Sequence, residues 1–146
     1  MIAGEVQRLG RAVDVVDIGA GNPTDSRSYH ERIKPLARTY LGVEPSLPLV
    51  LAAVPTSRIG VVRGSGELAL LRPGVVDVAL CFSALDHCVD PDLVLSNMAK
   101  ALRDGGCAVI DLKNVEAWYR PSTIIPPAGY SDAWPPRALA LMELLA

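Results

Sequence analysis

Residues Val13-Asp14-Val15-Val16-Asp17-Ile18 run straight into Gly19-Ala20-Gly21-Asn22-Pro23, and that junction constrains the fold more than any other stretch. The valine-rich run reads as a strand of a parallel sheet, buried on both faces. Gly-Ala-Gly reads as a tight turn in which missing Cβ atoms let backbone approach a ligand. Pro23 suits the first turn of a helix, where its absent N–H would have had no partner anyway. Strand, glycine turn and helix start, in that order, form the unit over which ligands sit in doubly wound sheets.

The rest of the chain repeats the alternation. A short helix is expected over residues 2–11, and a longer one from Thr24 to Arg38, interrupted near Pro35. Strand 2 is predicted at Tyr40–Glu44 and a short helix at Leu47–Val54. Strand 3 is predicted at Ile59–Val62, followed by a Gly64-Ser65-Gly66 turn and at most one helical turn over Glu67–Leu71. Val75–Phe82 is almost continuously apolar and reads as a central strand 4. Asp90 caps and Pro91 opens the best helix, with Leu95, Met98 and Leu102 as its buried stripe and Gly105-Gly106 as its stop. Strand 5 follows at Cys107–Leu112. From residue 113 the prolines at 121, 126, 127, 135 and 136 break the order, giving an irregular tail and a final helix over Arg137–Leu145. Alternating strands and helices predict an α/β sheet with right-handed crossovers.

Composition narrows the function. The chain has 146 residues, half of them hydrophobic, which suits one domain, 1–146, with one core. A net charge of -2 and no basic stripe argue against sequence-independent nucleic-acid binding. Three cysteines, Cys81, Cys88 and Cys107, with no CxxC pair, argue against a disulfide framework and a structural zinc site. No signal-like leader or membrane-length apolar run is visible, so a cytoplasmic location and no membrane partner are expected.

Four segments in order resemble class I S-adenosylmethionine-dependent methyltransferases of the methyltransferase-domain type. They are Val16–Gly21, Gly42-Val43-Glu44-Pro45-Ser46, Val76–Pro91 and Ala99–Gly106. The resemblance spans residues 13–112. It implies a Rossmann-like, mostly parallel sheet of strand order 3-2-1-4-5 and S-adenosylmethionine as the cofactor. Three departures stand out. Pro23 occupies the place of a further glycine, Ser65 that of an acid beside the adenine, and the tail shows no closing antiparallel strands, as in a chain shortened at its C-terminus.

The resemblance also assigns places around the donor. Gly19, Ala20 and Gly21 receive its amino acid end, with Asp17 beneath the turn. Glu44 grips the ribose hydroxyls, because a carboxylate accepts from both, and Pro45 follows it. Ser65, Gly66 and Glu67 flank the adenine, and Phe82 and Ser83 leave strand 4 beside the donor. Bland readings stand next to each: Asp17 pins the turn, Glu44 is a strand-end acid, Ser65–Glu67 is only a turn, Phe82 and Leu47 are core. His87, after Asp86, is the candidate general base for a hydroxyl or amine acceptor, against a plain turn histidine. A metal role for Asp86, His87, Cys88 and Asp90 is not expected, since neighbours in sequence rarely point at one centre.

Trp118, Tyr119, Tyr130 and Trp134 gather in an otherwise aromatic-poor chain, as an acceptor-side lid, an oligomer surface or a loop on the sheet edge. The leading expectation is methyl transfer to a small-molecule acceptor. The alternatives are a catalytically incomplete methyltransferase-like binding module and an NAD-dependent oxidoreductase, which would need a third glycine where Asn22-Pro23-Thr24 stands.

Overall fold

A computed structural model describes residues 10–24 and 30–111. The expectations for the leader helix, residues 25–29 of the second helix and the tail from 112 onward fall outside those residues. Five strands form one sheet in the order β3-β2-β1-β4-β5, all parallel. They are β1 (Val13–Ile18), β2 (Ala37–Glu44), β3 (Ile59–Arg63), β4 (Val76–Phe82) and β5 (Leu102–Asp111). The helices are α1 (described over His30–Ile33), α2 (Leu47–Ala52) and α3 (Pro91–Ala101), with 3-10 turns at Lys34–Leu36 and Leu85–His87. The described residues thus form a doubly wound sheet with no antiparallel strand among them, in the strand order the resemblance implied.

The two central strands carry the core. All six residues of β1 are buried, as are six of seven in β4. Val13, Val15, Val78 and Leu80 meet Ile33, Ala37 and Tyr40 on the face covered by α1. Each such side chain contributes about 1.5–3 kcal/mol by leaving water. Helix α3 covers the other face through Val94, Leu95 and Met98. It starts as expected: Asp90 Oδ1 accepts the N–H of Leu93 at 3.0 Å.

Besides shifts of one or two residues at β3, β4 and α2, two boundaries differ from expectation. Strand β2 begins at Ala37, not Tyr40, so Arg38 lies in a strand rather than a helix. Its Nε donates to Asp14 Oδ1 at 2.9 Å, and Thr39 Oγ1 donates to the same oxygen at 2.7 Å. A partner on β1 pulls these residues into the sheet. Helix α3 stops at Ala101, not at Gly105-Gly106, and β5 begins at Leu102. Opposite Val76 and Val78, β5 advances from Leu102 to Cys107. The excursion contains Gly105 at φ 77°, and a side chain at Gly106 would press on the Asp77 carbonyl at 2.8 Å. The glycines serve a bulge in a strand, not a helix cap. No helical turn forms over Glu67–Leu71.

That bulge aims Arg103 inward. Its Nη1 lies 3.0 Å from both Asp14 Oδ2 and Asp77 Oδ1. Arg11 clasps Asp77 with two bonds, at 3.1 and 2.7 Å, and the Asp14 N–H donates to Asp77 Oδ2 at 2.8 Å. Three arginines thus neutralise two aspartates buried among valines, at the amino ends of the strands. Asp14 is held well below the usual carboxylate range by Arg38 above all, against the opposing effect of burial, with Thr39 and Arg103 assisting. Burial pushes Asp77 up, but Arg11, the Asp14 amide and Arg103 together bring it down.

Candidate functional site

The opposite, carboxyl ends of the strands carry the glycine turn. The N–H groups of Gly19 and Ala20 donate to the Val43 carbonyl, at 2.8 and 3.2 Å. The next N–H, from Gly21, donates to Glu44 Oε2 at 2.7 Å. Oε1 of the same carboxylate accepts the N–H of Ser46 at 2.8 Å. Glu44 is buried. Pro45 sits between these anchored residues, where the chain turns from β2 into α2.

Gly19 and Gly21 both adopt φ values closed to most side chains, 71° and 60°. Their surroundings differ. A Cβ on Gly19 would run into the Cβ of Ala84, whereas one on Gly21 would meet nothing within 4 Å. Gly19 lets the turn lie against the segment after β4, whereas the space at Gly21 is open. Ala20 between them is buried.

Asp17 is fully buried. Its Oδ2 accepts the Tyr40 hydroxyl and lies 3.1 Å from His30 Nε2. The His30 and Tyr40 rings meet edge to face, with centroids 5.6 Å apart. These contacts tie the turn's approach strand to α1 and β2. His30 and Tyr40 were not anticipated. An acid at the end of an apolar strand was the available signal, because a buried carboxylate requires donors from somewhere.

Ser65, Gly66 and Glu67 form the turn after β3. The Glu67 carboxylate accepts the N–H groups of Val89 and Asp90, at 2.9 and 3.5 Å, and the Ser65 hydroxyl. Asn97 Nδ2 donates to the carbonyls of Gly66 and Glu67, at 3.1 and 2.9 Å. A side chain at Gly66 would collide with Ile18 and Val94. The turn is therefore braced between β1, α3 and the segment that leads into α3. Burial pushes the Glu67 carboxyl up, but these donors hold it below its ordinary value.

Phe82 is half-buried and packs against the core beneath α1. Ser83 is the one described residue other than glycine at positive φ, 50°. Its N–H donates to the Asp111 carbonyl at 3.0 Å, and its hydroxyl lies 3.4 Å from Asp111 Oδ2. The Asp86 side chain is turned inward while that of His87 is 78% exposed, Nε2 lying 4.0 Å from Asp86 Oδ1. Leu47 is partly exposed on α2. Burial pushes the Cys81 and Cys88 thiols up to about 12 and about 11. Among the described residues no group of three or more His, Cys, Asp and Glu could hold a metal ion, and no helix is long and apolar enough to cross a membrane.

Known proteins resemble this chain in sequence and in fold. An uncharacterized methyltransferase of Mycobacterium sp. (strain KMS) is 33% identical over 98 residues, covering 66% of this chain and 37% of its own length. The chain thus spans little more than a third of that relative. An S-adenosylmethionine-dependent methyltransferase from Mesorhizobium loti is 22% identical with a TM-score of 0.60, covering 68% of this chain and 46% of the other. The [4+2]-cyclase SpnF gives the same TM-score at 18% identity, covering 68% and 38%. The family model described as "Methyltransferase domain" matches residues 16–110, from the middle of β1 to the end of β5. With the strand order, the glycine turn and the buried acid after β2 all in place, the chain belongs to the methyltransferase domain family.

Proposed function

We propose that this chain is the donor-binding core of an S-adenosylmethionine-dependent methyltransferase acting on a small-molecule acceptor. One observation carries the reading: the buried Glu44 carboxylate is locked onto the N–H of Gly21, a glycine whose side-chain position is open space. Bound there, S-adenosylmethionine supplies a methyl group on a positively charged sulfur.

The protein's part is to bind, orient and exclude water. Gly19, Ala20 and Gly21 receive the donor's amino acid end, and Asp17 holds the approach strand beneath them. A carboxylate offers about four lone-pair positions. Two of Glu44's are taken by backbone amides, leaving the others to accept ribose hydroxyls, with Pro45 fixing the chain after it. Ser65 and Gly66 flank the adenine. Glu67 serves that turn as its brace, through Val89 and Asp90. Phe82 and Ser83 close the side toward the reacting methyl. No proton transfer is assigned to His87, whose ring faces solvent. Asn22-Pro23-Thr24 supplies no third glycine after the turn, which disfavours a nicotinamide dinucleotide.

Calorimetric titration with S-adenosylhomocysteine, with NAD as the competing ligand, tests the reading. Saturable binding of the first, weakened at least several-fold in Glu44→Ala, is expected. Binding of NAD instead, or of neither, overturns it. Because a cyclase shares the fold, the reaction itself is read separately, from donor conversion to S-adenosylhomocysteine across small-molecule acceptors.

A further inference from the structure

We infer that Asp111 is the specificity-determining residue for the methyl acceptor, and that the acceptor is an amine, whose N–H groups donate to the Asp111 carboxylate. The inference rests on the proposed donor site and extends it to the other substrate.

Placement comes first. Phe82, the last residue of β4, is in register with Asp111 of β5. Ser83–Ala84 lies between the donor turn and Asp111. Ala84 packs on Gly19 so closely that no side chain fits there, and Ser83 is bonded to Asp111. A ligand crossing from the turn over the end of β4 meets Asp111 next. Ligands in such sheets gather in the crevice where strand order reverses, here between β1 and β4.

Availability comes second. Among the described residues, the acids that follow are engaged. Glu44 holds Gly21 and Ser46. Glu67 holds Val89 and Asp90. Asp17 is buried with Tyr40 and His30. Asp90 caps α3, and Asp86 is turned inward. Asp111 is exposed, and its contact to the Ser83 hydroxyl, 3.4 Å, is at the long limit of a hydrogen bond. A stronger donor displaces such a contact easily.

Strain comes third. A serine at φ 50° is costly, and strain of this kind persists where a site requires it. Here it turns the chain so that the Ser83 N–H and hydroxyl both meet Asp111, orienting the carboxylate at the crevice.

The test uses the chain saturated with S-adenosylhomocysteine and three probes that share one ring: benzylamine, benzyl alcohol and benzoate. Backbone amide NMR follows Ser83 and Asp111. The amine is expected to bind about two- to fivefold more tightly than the alcohol, the range of a solvent-exposed charge pair, and benzoate most weakly. Asp111→Asn abolishes the preference, and Asp111→Glu keeps it. Asp104→Asn, which removes one charge at the far end of β5, leaves it unchanged. Equal affinities, a preference that survives Asp111→Asn, or shifts that miss Ser83 and Asp111 overturn the inference alone. Failure of S-adenosylhomocysteine to bind, read beforehand by calorimetry, overturns the donor site and the inference with it.

Discussion

The N–H of Gly21 donates to Glu44 Oε2 at 2.7 Å, across 23 residues of sequence. It joins the turn after β1 to the carboxylate that ends β2, the two elements proposed to receive neighbouring parts of one ligand. Their spacing is set before any ligand arrives, so binding need not organise it.

Glu44→Gln tests that coupling. An amide side chain can accept only through its single oxygen, so either Gly21 or Ser46 then faces an NH2 group. The expected cost is about 1–3 kcal/mol of stability, together with a weaker S-adenosylhomocysteine complex. Urea denaturation and calorimetry on the same variant separate the two effects. Full stability with unchanged affinity would refute the coupling.

Gly19→Ala and Gly21→Ala should diverge. Both place a side chain at positive φ, which costs about 1–2 kcal/mol. Only at Gly19 does the new methyl group also strike Ala84. Gly19→Ala is therefore expected to lower the melting temperature far more. Gly21→Ala keeps most of the stability but puts a methyl group into the crevice, so its loss appears mainly in donor affinity. Equal thermal losses in the two variants would contradict the geometry.

Ser83→Gly is expected to be neutral or stabilising by up to about 1 kcal/mol, because glycine adopts φ 50° without strain. A clear loss of stability in thermal or chemical unfolding would mean that the hydroxyl contact to Asp111 outweighs the backbone strain.

The aspartate–arginine network governs the acid limb of stability. The folded state lowers the pKa of Asp14 from its ordinary 3.8, so it binds fewer protons than the unfolded chain. Its stabilisation is complete above that value and disappears as pH falls through the lower, folded value. Asp77 acts in the same direction. Arg103→Met brings both acids closer to ordinary behaviour. The expected result is lower stability at neutral pH and a shallower fall below about pH 4, measured by urea midpoints at stepped pH. A curve parallel to that of the unmodified chain would exclude the network as its cause.

Alkylation distinguishes the cysteines. With the Cys81 thiol at about 12 and that of Cys88 at about 11, thiolate is scarce near neutrality. Iodoacetamide at pH 7.5 should leave both unmodified in the folded chain and label both in urea, as mass mapping would show. Rapid labelling of Cys81 under native conditions would contradict its burial.

Much of the sheet was legible because its central strands are simple. β1 has the expected limits, and β4 starts one residue later than expected, since runs buried on both faces are mostly apolar. The edges were less legible. Arg38 suits a helix locally and became strand because Asp14 lies beside it, with Thr39 bonded to the same carboxylate. Gly105-Gly106 suits a helix stop as well as a bulge, and pairing with Val76 and Val78 decided between them. The arginine network left one readable trace: aspartates inside apolar strands, which demand partners.

By itself, the sequence determined the alternation of elements, the central strands and the glycine turn, because periodicity and missing side chains act over a few neighbouring residues. Only the tertiary structure decided that Glu44 holds Gly21, that Glu67 braces Val89, and that Ser83 bends onto Asp111. Each of these joins residues more than 20 positions apart. Which donor reaches which acceptor over that distance depends on strand register and packing, and no local pattern carries that information.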